Sequence, residues 1–187
     1  MTLSEYLSTR TIEIDLASLL AEADSYYPRA TRTETEKGNT RDAYGRLRSG
    51  RAHWISTGGP VLAEIHEGLM CRTVNETTVA GELFPTRSVY IYYEPGDYIG
   101  PHQDVQQCER TALVSLTEES SLQIYPAGYP GDEASALDRF LAGPVTGEQC
   151  VEMPKGSLVV IDGGRLIHAK RPSTKRCITA AFCFLSA

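Results

Sequence analysis

From Val89 onward the chain is a succession of short β-rich pieces, 89–93, 99–105, 111–117, 121–125, 149–153, 157–162, 166–169 and 176–184, and this succession limits the fold more than any other feature. Glu94-Pro95-Gly96-Asp97, Pro154-Lys155-Gly156 and Asp162-Gly163-Gly164 separate apolar runs with residues suited to tight bends. Strands on turn-length connections predict a closed or sandwiched β-core. One connection is long: residues 126–147 carry Gly/Pro-rich ends around 133–142, a stretch of helical composition that we read as a lid or edge insertion.

The first 85 residues read differently. Asp15 stands just before Leu16, Leu19, Leu20 and Ala23, which recur at helical spacing, and Pro28 ends the pattern. Residues 29–51 are polar, with no steady period, and read as a loop that becomes ordered around a substrate. Gly58-Gly59 leads into Pro60, suited to a first helical turn, and Leu62, Ile65 and Leu69 mark a second amphipathic helix. At 187 residues one domain is expected, with 1–85 as helical buttress and substrate loop and 86–187 as the β-core.

A formal charge of −6 gives no sequence-wide attraction for phosphate backbones, which disfavours nucleic-acid substrates. The five cysteines are odd in number and lack CxxC spacing, so they read as reduced thiols. Glu5, Glu13 and Asp15 interrupt the apolar residues near the N-terminus, and no apolar run reaches membrane-spanning length. A cytoplasmic location is the expectation.

The chemistry-bearing pattern is His102-Gln103-Asp104 with His168 64 positions after the aspartate. Side chains alternate along a strand, so His102 and Asp104 project from one face, and a neighbouring strand can bring His168 to them. Two imidazoles and a carboxylate on one face of a ferrous ion leave the opposite face open to a co-substrate and dioxygen. An HxD triplet is common by chance; here Tyr93-Glu94-Pro95-Gly96 precedes it, Gly156-Ser157-Leu158-Val159-Val160 precedes His168, and a basic residue follows it.

This order resembles the Fe(II)/2-oxoglutarate-dependent dioxygenases over roughly residues 89–184: “YYEPGDYIGPHQD” is similar to the metal-binding strand pair of prolyl-hydroxylase-like members, and “KGSLVVIDGGRLIHAKRPSTKRCITAAF” to their closing segment. The resemblance implies a double-stranded β-helix, or jelly roll, mainly β with flanking helices. It implies His102, Asp104 and His168 as iron ligands, 2-oxoglutarate as co-substrate and dioxygen as oxidant. It places Arg176 as the clamp on the far carboxylate of 2-oxoglutarate, with adjacent Lys175 exposed, because an arginine fork holds a carboxylate bidentately. Tyr93 matches a position that contacts the co-substrate, with a core tyrosine as the alternative. His53 and His66 have no carboxylate at comparable spacing and read as surface residues; Arg110 reads as a solvated rim charge.

The expected activity is hydroxylation of an unactivated C–H bond in a small polar metabolite, an amino acid or natural-product intermediate, with release of succinate and CO2. Asp104 argues against halogenation, which would need a small residue there to admit chloride. Two alternatives stand beside this reading: an AlkB-type nucleic-acid demethylase, weakened because its second terminal arginine would fall near Phe182 or Cys183, and a non-catalytic cupin-like binding module.

Overall fold

The computed structural model describes residues 7–35, 40–77, 81–118 and 120–187; Glu5 and residues 36–39 of the expected loop lie outside the described residues. In chain order the strands are β1 (Leu7–Thr11), β2 (Thr31–Thr35), β3 (Thr40–Arg41), β4 (Leu47–Arg48), β5 (Arg51–Thr57), β6 (Leu83–Tyr93), β7 (Tyr98–His102), β8 (Arg110–Ser115), β9 (Ser121–Tyr125), β10 (Gln149–Glu152), β11 (Ser157–Ile161), β12 (Ile167–Lys170) and β13 (Cys177–Ser186). The helices are α1 (Leu16–Tyr26), α2 (Pro60–Ile65), α3 (Cys71–Thr77) and α4 (Ala136–Ala142), with a π turn, His66–Met70, joining α2 to α3.

All pairings of the main sheet are antiparallel, in the order β1-β11-β8-β13-β6-β5-β7-β12-β9-β10, with β2 added to β5. The sheet folds over at β5. Trp54 to Thr57 pair with β6, while Arg51 and Ala52 pair with β7, so one strand serves both layers. The layer of β11, β8, β13 and β6 faces the layer of β7, β12, β9 and β10 in a jelly roll, and Val159 and Ile161 of β11 pack against Leu122 and Ile124 of β9 between them.

Residue parity decides which side each strand presents, because successive side chains point to opposite faces. The even-numbered Tyr90, Tyr92, Ala112, Val114, Leu158, Val160, Ile178, Ala180 and Phe182 form one core with Leu19, Ala23, Leu62, Met70 and Val74 of the helices. Odd-numbered residues of the same strands point between the layers. Behind the second layer, Leu137 and Phe140 of α4 pack on Tyr125 and Ala169, so the insertion is a cover for the outer sheet face.

Asp15 caps α1 as expected, its Oδ1 accepting from Ser18 N at 3.0 Å. The second helix has a cap that local sequence does not reveal. Glu22 of α1 accepts from the backbone N–H groups of Val61 (2.8 Å) and Leu62 (3.0 Å) and from the Tyr90 hydroxyl (2.8 Å).

Two expectations are corrected. Much of 29–51 is strand: β2 pairs with β5 from Thr31 opposite Ile55 to Thr35 opposite Arg51, and the β-branched Thr31, Thr33 and Thr35 suit that edge. The cysteines are not all thiols. Cys108 and Cys183 are joined by a disulfide, while Cys71, Cys150 and Cys177 are thiols. Cys108 follows the Asp104 loop and Cys183 lies on the inner face of β13, so the sheet brings together two residues separated by 75 positions.

Candidate metal centre

β7 and β12 are neighbours, and their register sets His102 directly opposite His168, with ring centroids 4.3 Å apart. Both imidazoles are buried, and each Nδ1–H donates to the carbonyl two residues earlier, Gly100 for His102 and Leu166 for His168, at 2.9 Å in each case. That bond puts the proton on Nδ1 and leaves the Nε2 lone pair bare for a metal. Both Nε2 atoms stand 3.5 Å from Asp104 Oδ1, and the three donor atoms lie within 4.8 Å of one another.

Asp104 is held from two sides. Its N–H donates to Gly163 O at 2.7 Å, and Thr111 Oγ1 donates to its Oδ2 at 2.6 Å, which leaves Oδ1 facing the histidines. Gly163 has a steric reason to be glycine: an added Cβ would overlap the Asp104 carboxylate. Burial alone would raise this carboxyl, but the facing His168 and His102 rings hold it well below the usual carboxylate range. Burial and the neighbouring His168 push His102 down to about 4, so its ring is a neutral donor near pH 7.

The triad stands in the wall of a cavity of about 180 Å3 between the layers. Tyr93 lies where expected, in that wall and 5% exposed, with its ring 6.0 Å from His53. Burial raises its phenol above the ordinary tyrosine range. Arg176 does not enter the cavity. It shares the even-numbered, helix-side face of β13, where its guanidinium lies 4.6 Å over Tyr27 and pairs with Glu94 at 3.1 Å and Asp24 at 3.4 Å. The next inward position is Cys177, fully buried and opposite Tyr93 on β6. Lys175 is exposed, as expected.

Three other expectations change. His53 is buried in the cavity wall, its Nδ1 has no hydrogen-bond partner, and burial followed by the charge of Arg51 pushes its pKa down to about 3. His66 is buried on the helix side, its Nε2 3.0 Å from Cys183 O and its ring edge-on to Phe184 at 4.9 Å. Arg110 is tied to the buried Asp162 carboxylate rather than solvated at a rim. Arg51, one of the arginines of the 29–51 stretch, lines the cavity; sequence reading missed Lys170 and Thr111, which also line it. The signal was strand alternation: Arg51, His53 and Ile55 share a face of β5, and Lys170 shares a face of β12 with His168.

The fold is similar to that of solved non-haem, α-ketoglutarate-dependent proteins. Neither a family model nor a curated protein sequence matches the chain. Among solved structures it is similar to the non-haem α-ketoglutarate-dependent epimerase SnoN from nogalamycin biosynthesis, with 13% identity over 98% of this chain and 80% of that one and a TM-score of 0.68. HygX from Streptomyces hygroscopicus, with nickel, 2-oxoglutarate and hygromycin B bound, gives 12% identity, 98% and 84% coverage and 0.68. A prolyl-4-hydroxylase from Pseudomonas putida gives 16%, 98% and 94%, and 0.63. At such identities the likeness establishes the fold.

Proposed function

We propose that this protein is an Fe(II)- and 2-oxoglutarate-dependent oxygenase that hydroxylates an unactivated C–H bond of a small polar metabolite, an amino acid or natural-product intermediate. The observation that carries the reading is the convergence of His102 Nε2, His168 Nε2 and Asp104 Oδ1 in the wall of a cavity between the layers of a jelly roll. When bound, ferrous iron and 2-oxoglutarate supply the oxidant: dioxygen gives one oxygen atom to the substrate and one to succinate, with loss of CO2.

The chain's own contribution is placement. His102 and His168, oriented by the Gly100 and Leu166 carbonyls that hold their Nδ1 atoms, turn Nε2 toward the site, and Thr111 and Gly163 set the angle of the third ligand. The carboxylate at position 104 fills the coordination site that a halide would need, which favours oxygen transfer over halogenation. Ile99, Ile91 and Leu113 line the cavity beside these groups and exclude water from the reacting C–H bond.

The AlkB-type reading is the weaker one. Phe182 is fully buried on the helix side and Cys183 is in a disulfide, so neither position supplies the second arginine, and the net charge of −6 gives little hold on phosphates. A binding module without turnover is separated from an enzyme by one measurement. Protein reconstituted anaerobically with Fe(II) and 2-oxoglutarate, then exposed to oxygen with a panel of amino acids and small natural products, should release succinate in step with a product gaining one oxygen atom. His102→Ala and His168→Ala should abolish both metal binding and turnover; normal activity in either would remove the ligand assignment.

A further inference from the structure

Cations that reach the interior of this protein are mostly paired. Arg110 is held by Asp162, Arg171 by Glu148 at 2.5 Å, and Arg48 by Asp42 at 2.6 Å. Lys170 is one of the exceptions, and it stands on the strand of a metal ligand. It is 7% exposed and lines the cavity, and among the described residues no carboxylate lies within ion-pairing distance of it; its close partner is the face of the Tyr93 ring, 5.7 Å from Nζ, and the charge of Glu152 acts on it from farther off. The Tyr93 hydroxyl has no hydrogen-bond partner among the described residues either. A buried ammonium without an anion is costly, and a phenol beside it doubles the unused donor capacity at that end of the cavity.

The position of this pair fits one occupant. Lys170 follows His168 by two residues on the same strand, so the two side chains rise from one face about 6.6 Å apart along the chain. A five-carbon oxo-diacid with its keto-acid end at His102, Asp104 and His168 extends its second carboxylate on that scale. Two further cations of the wall have no carboxylate partner among the described residues: the exposed Arg87, and Arg51 of β5, which stands near Arg48, Asp104 and Tyr93. Arg176 is committed on the opposite face of β13 to Glu94, Asp24 and Tyr27, and the inward position belongs to Cys177.

Taking the site to be 2-oxoglutarate-dependent, as proposed above, we infer that Lys170 of β12, with the Tyr93 hydroxyl, binds the distal carboxylate of the co-substrate, in the role that the sequence pattern assigns to Arg176. The charge sits on the preceding strand of the chain, in the facing layer of the sheet. Lys170 is on the strand that also carries the distal metal ligand.

The test is calorimetric and does not depend on turnover. Nickel-loaded protein, kept anaerobic, is titrated with 2-oxoglutarate and with 2-oxobutanoate, which has the same keto-acid head and no second carboxylate. Wild type should prefer 2-oxoglutarate. Lys170→Met, which keeps the apolar stem, should weaken 2-oxoglutarate roughly 10- to 100-fold while leaving 2-oxobutanoate nearly unchanged, and Lys170→Arg should restore much of the preference. Arg176→Ala should keep it. A Lys170→Met protein that retains the preference, or an Arg176→Ala protein that loses it, overturns the assignment while leaving the metal site standing. Wild-type nickel protein that binds neither oxoacid overturns the assignment together with the oxygenase reading. Unchanged binding of nickel and 2-oxobutanoate by Lys170→Met reports that the variant is folded.

Discussion

Replacing Gly163 with alanine should disable the metal centre without unfolding the protein, whereas the same change at Gly164 should do almost nothing. Neither glycine has a positive φ, so alanine is permitted by the backbone at both. The difference is what the new methyl meets. At Gly164 the nearest atom is Glu109 Cα at 3.7 Å, an ordinary contact; at Gly163 the methyl would press into Asp104 Oδ2, inside van der Waals contact by roughly 1 Å. The carboxylate cannot yield by that much and remain a ligand, because it is fixed by the Thr111 hydroxyl at 2.6 Å and by its own N–H to Gly163 O at 2.7 Å. Metal–ligand distances tolerate about 0.2 Å. Losing the support of a ligand typically costs 10- to 100-fold in affinity, and displacing the ligand itself should reach the upper end of that range. Titration of the metal-free variants with Fe(II) or Ni(II), with circular dichroism to confirm the fold, measures this directly. Equal metal affinity in Gly163→Ala and wild type would refute the claim that the glycine makes room for the third ligand.

Thr111→Val should weaken metal binding roughly tenfold by releasing Asp104 Oδ2, and an unaltered titration would show that the backbone bond alone orients the carboxylate. His53 carries a pH signature: its folded value of about 3 lies below the ordinary 6.5, so the unfolded chain takes up the proton first and stability is lost as pH falls from about 6.5 toward 3. In metal-free protein this one group should contribute a loss of roughly 3 kcal/mol by pH 4, and urea midpoints should fall less steeply in His53→Leu; parallel slopes for the two proteins would contradict the burial of a neutral ring. Denatured, unreduced protein should show three reactive thiols, those of Cys71, Cys150 and Cys177, and five after reduction. Five before reduction would remove the Cys108–Cys183 link. If it is present, breaking it should lower stability by about 4 kcal/mol on loop-entropy grounds, read from denaturant midpoints with and without reductant.

The triad was legible because its logic is local. His102 ends β7 and Asp104 follows two residues later in the loop held by Gly163 and Thr111, and the closing segment supplies His168 through a single pairing. What sequence reading lost was register. Arg176 stands immediately before β13, and whether it enters the cavity depends on whether the loop from Arg171 to Lys175 delivers it on an odd or even step; the register that pairs Cys177 with Tyr93 puts Arg176 outside. Lys170 was hidden for a related reason: a lysine next to Arg171-Pro172 looks solvated until β12 is seen between two other strands. Residues 29–51 read as loop because the partner that makes β2 a strand, β5, overlaps the end of the same polar stretch. The disulfide partners are 75 residues apart, and only the sheet order makes them neighbours.

The single carboxylate of Glu22 gives the helical layer a mechanical property. Because it terminates α2 through Val61 and Leu62 while gripping Tyr90 of the sheet, α1 cannot lift away without also stripping the start of the next helix of its acceptor. The two helices therefore behave as one latch over the back of the barrel, opening as a cooperative unit or staying shut. Amide exchange in both should report a common opening free energy, and a Glu22→Gln protein should fray at Val61 before any strand loosens.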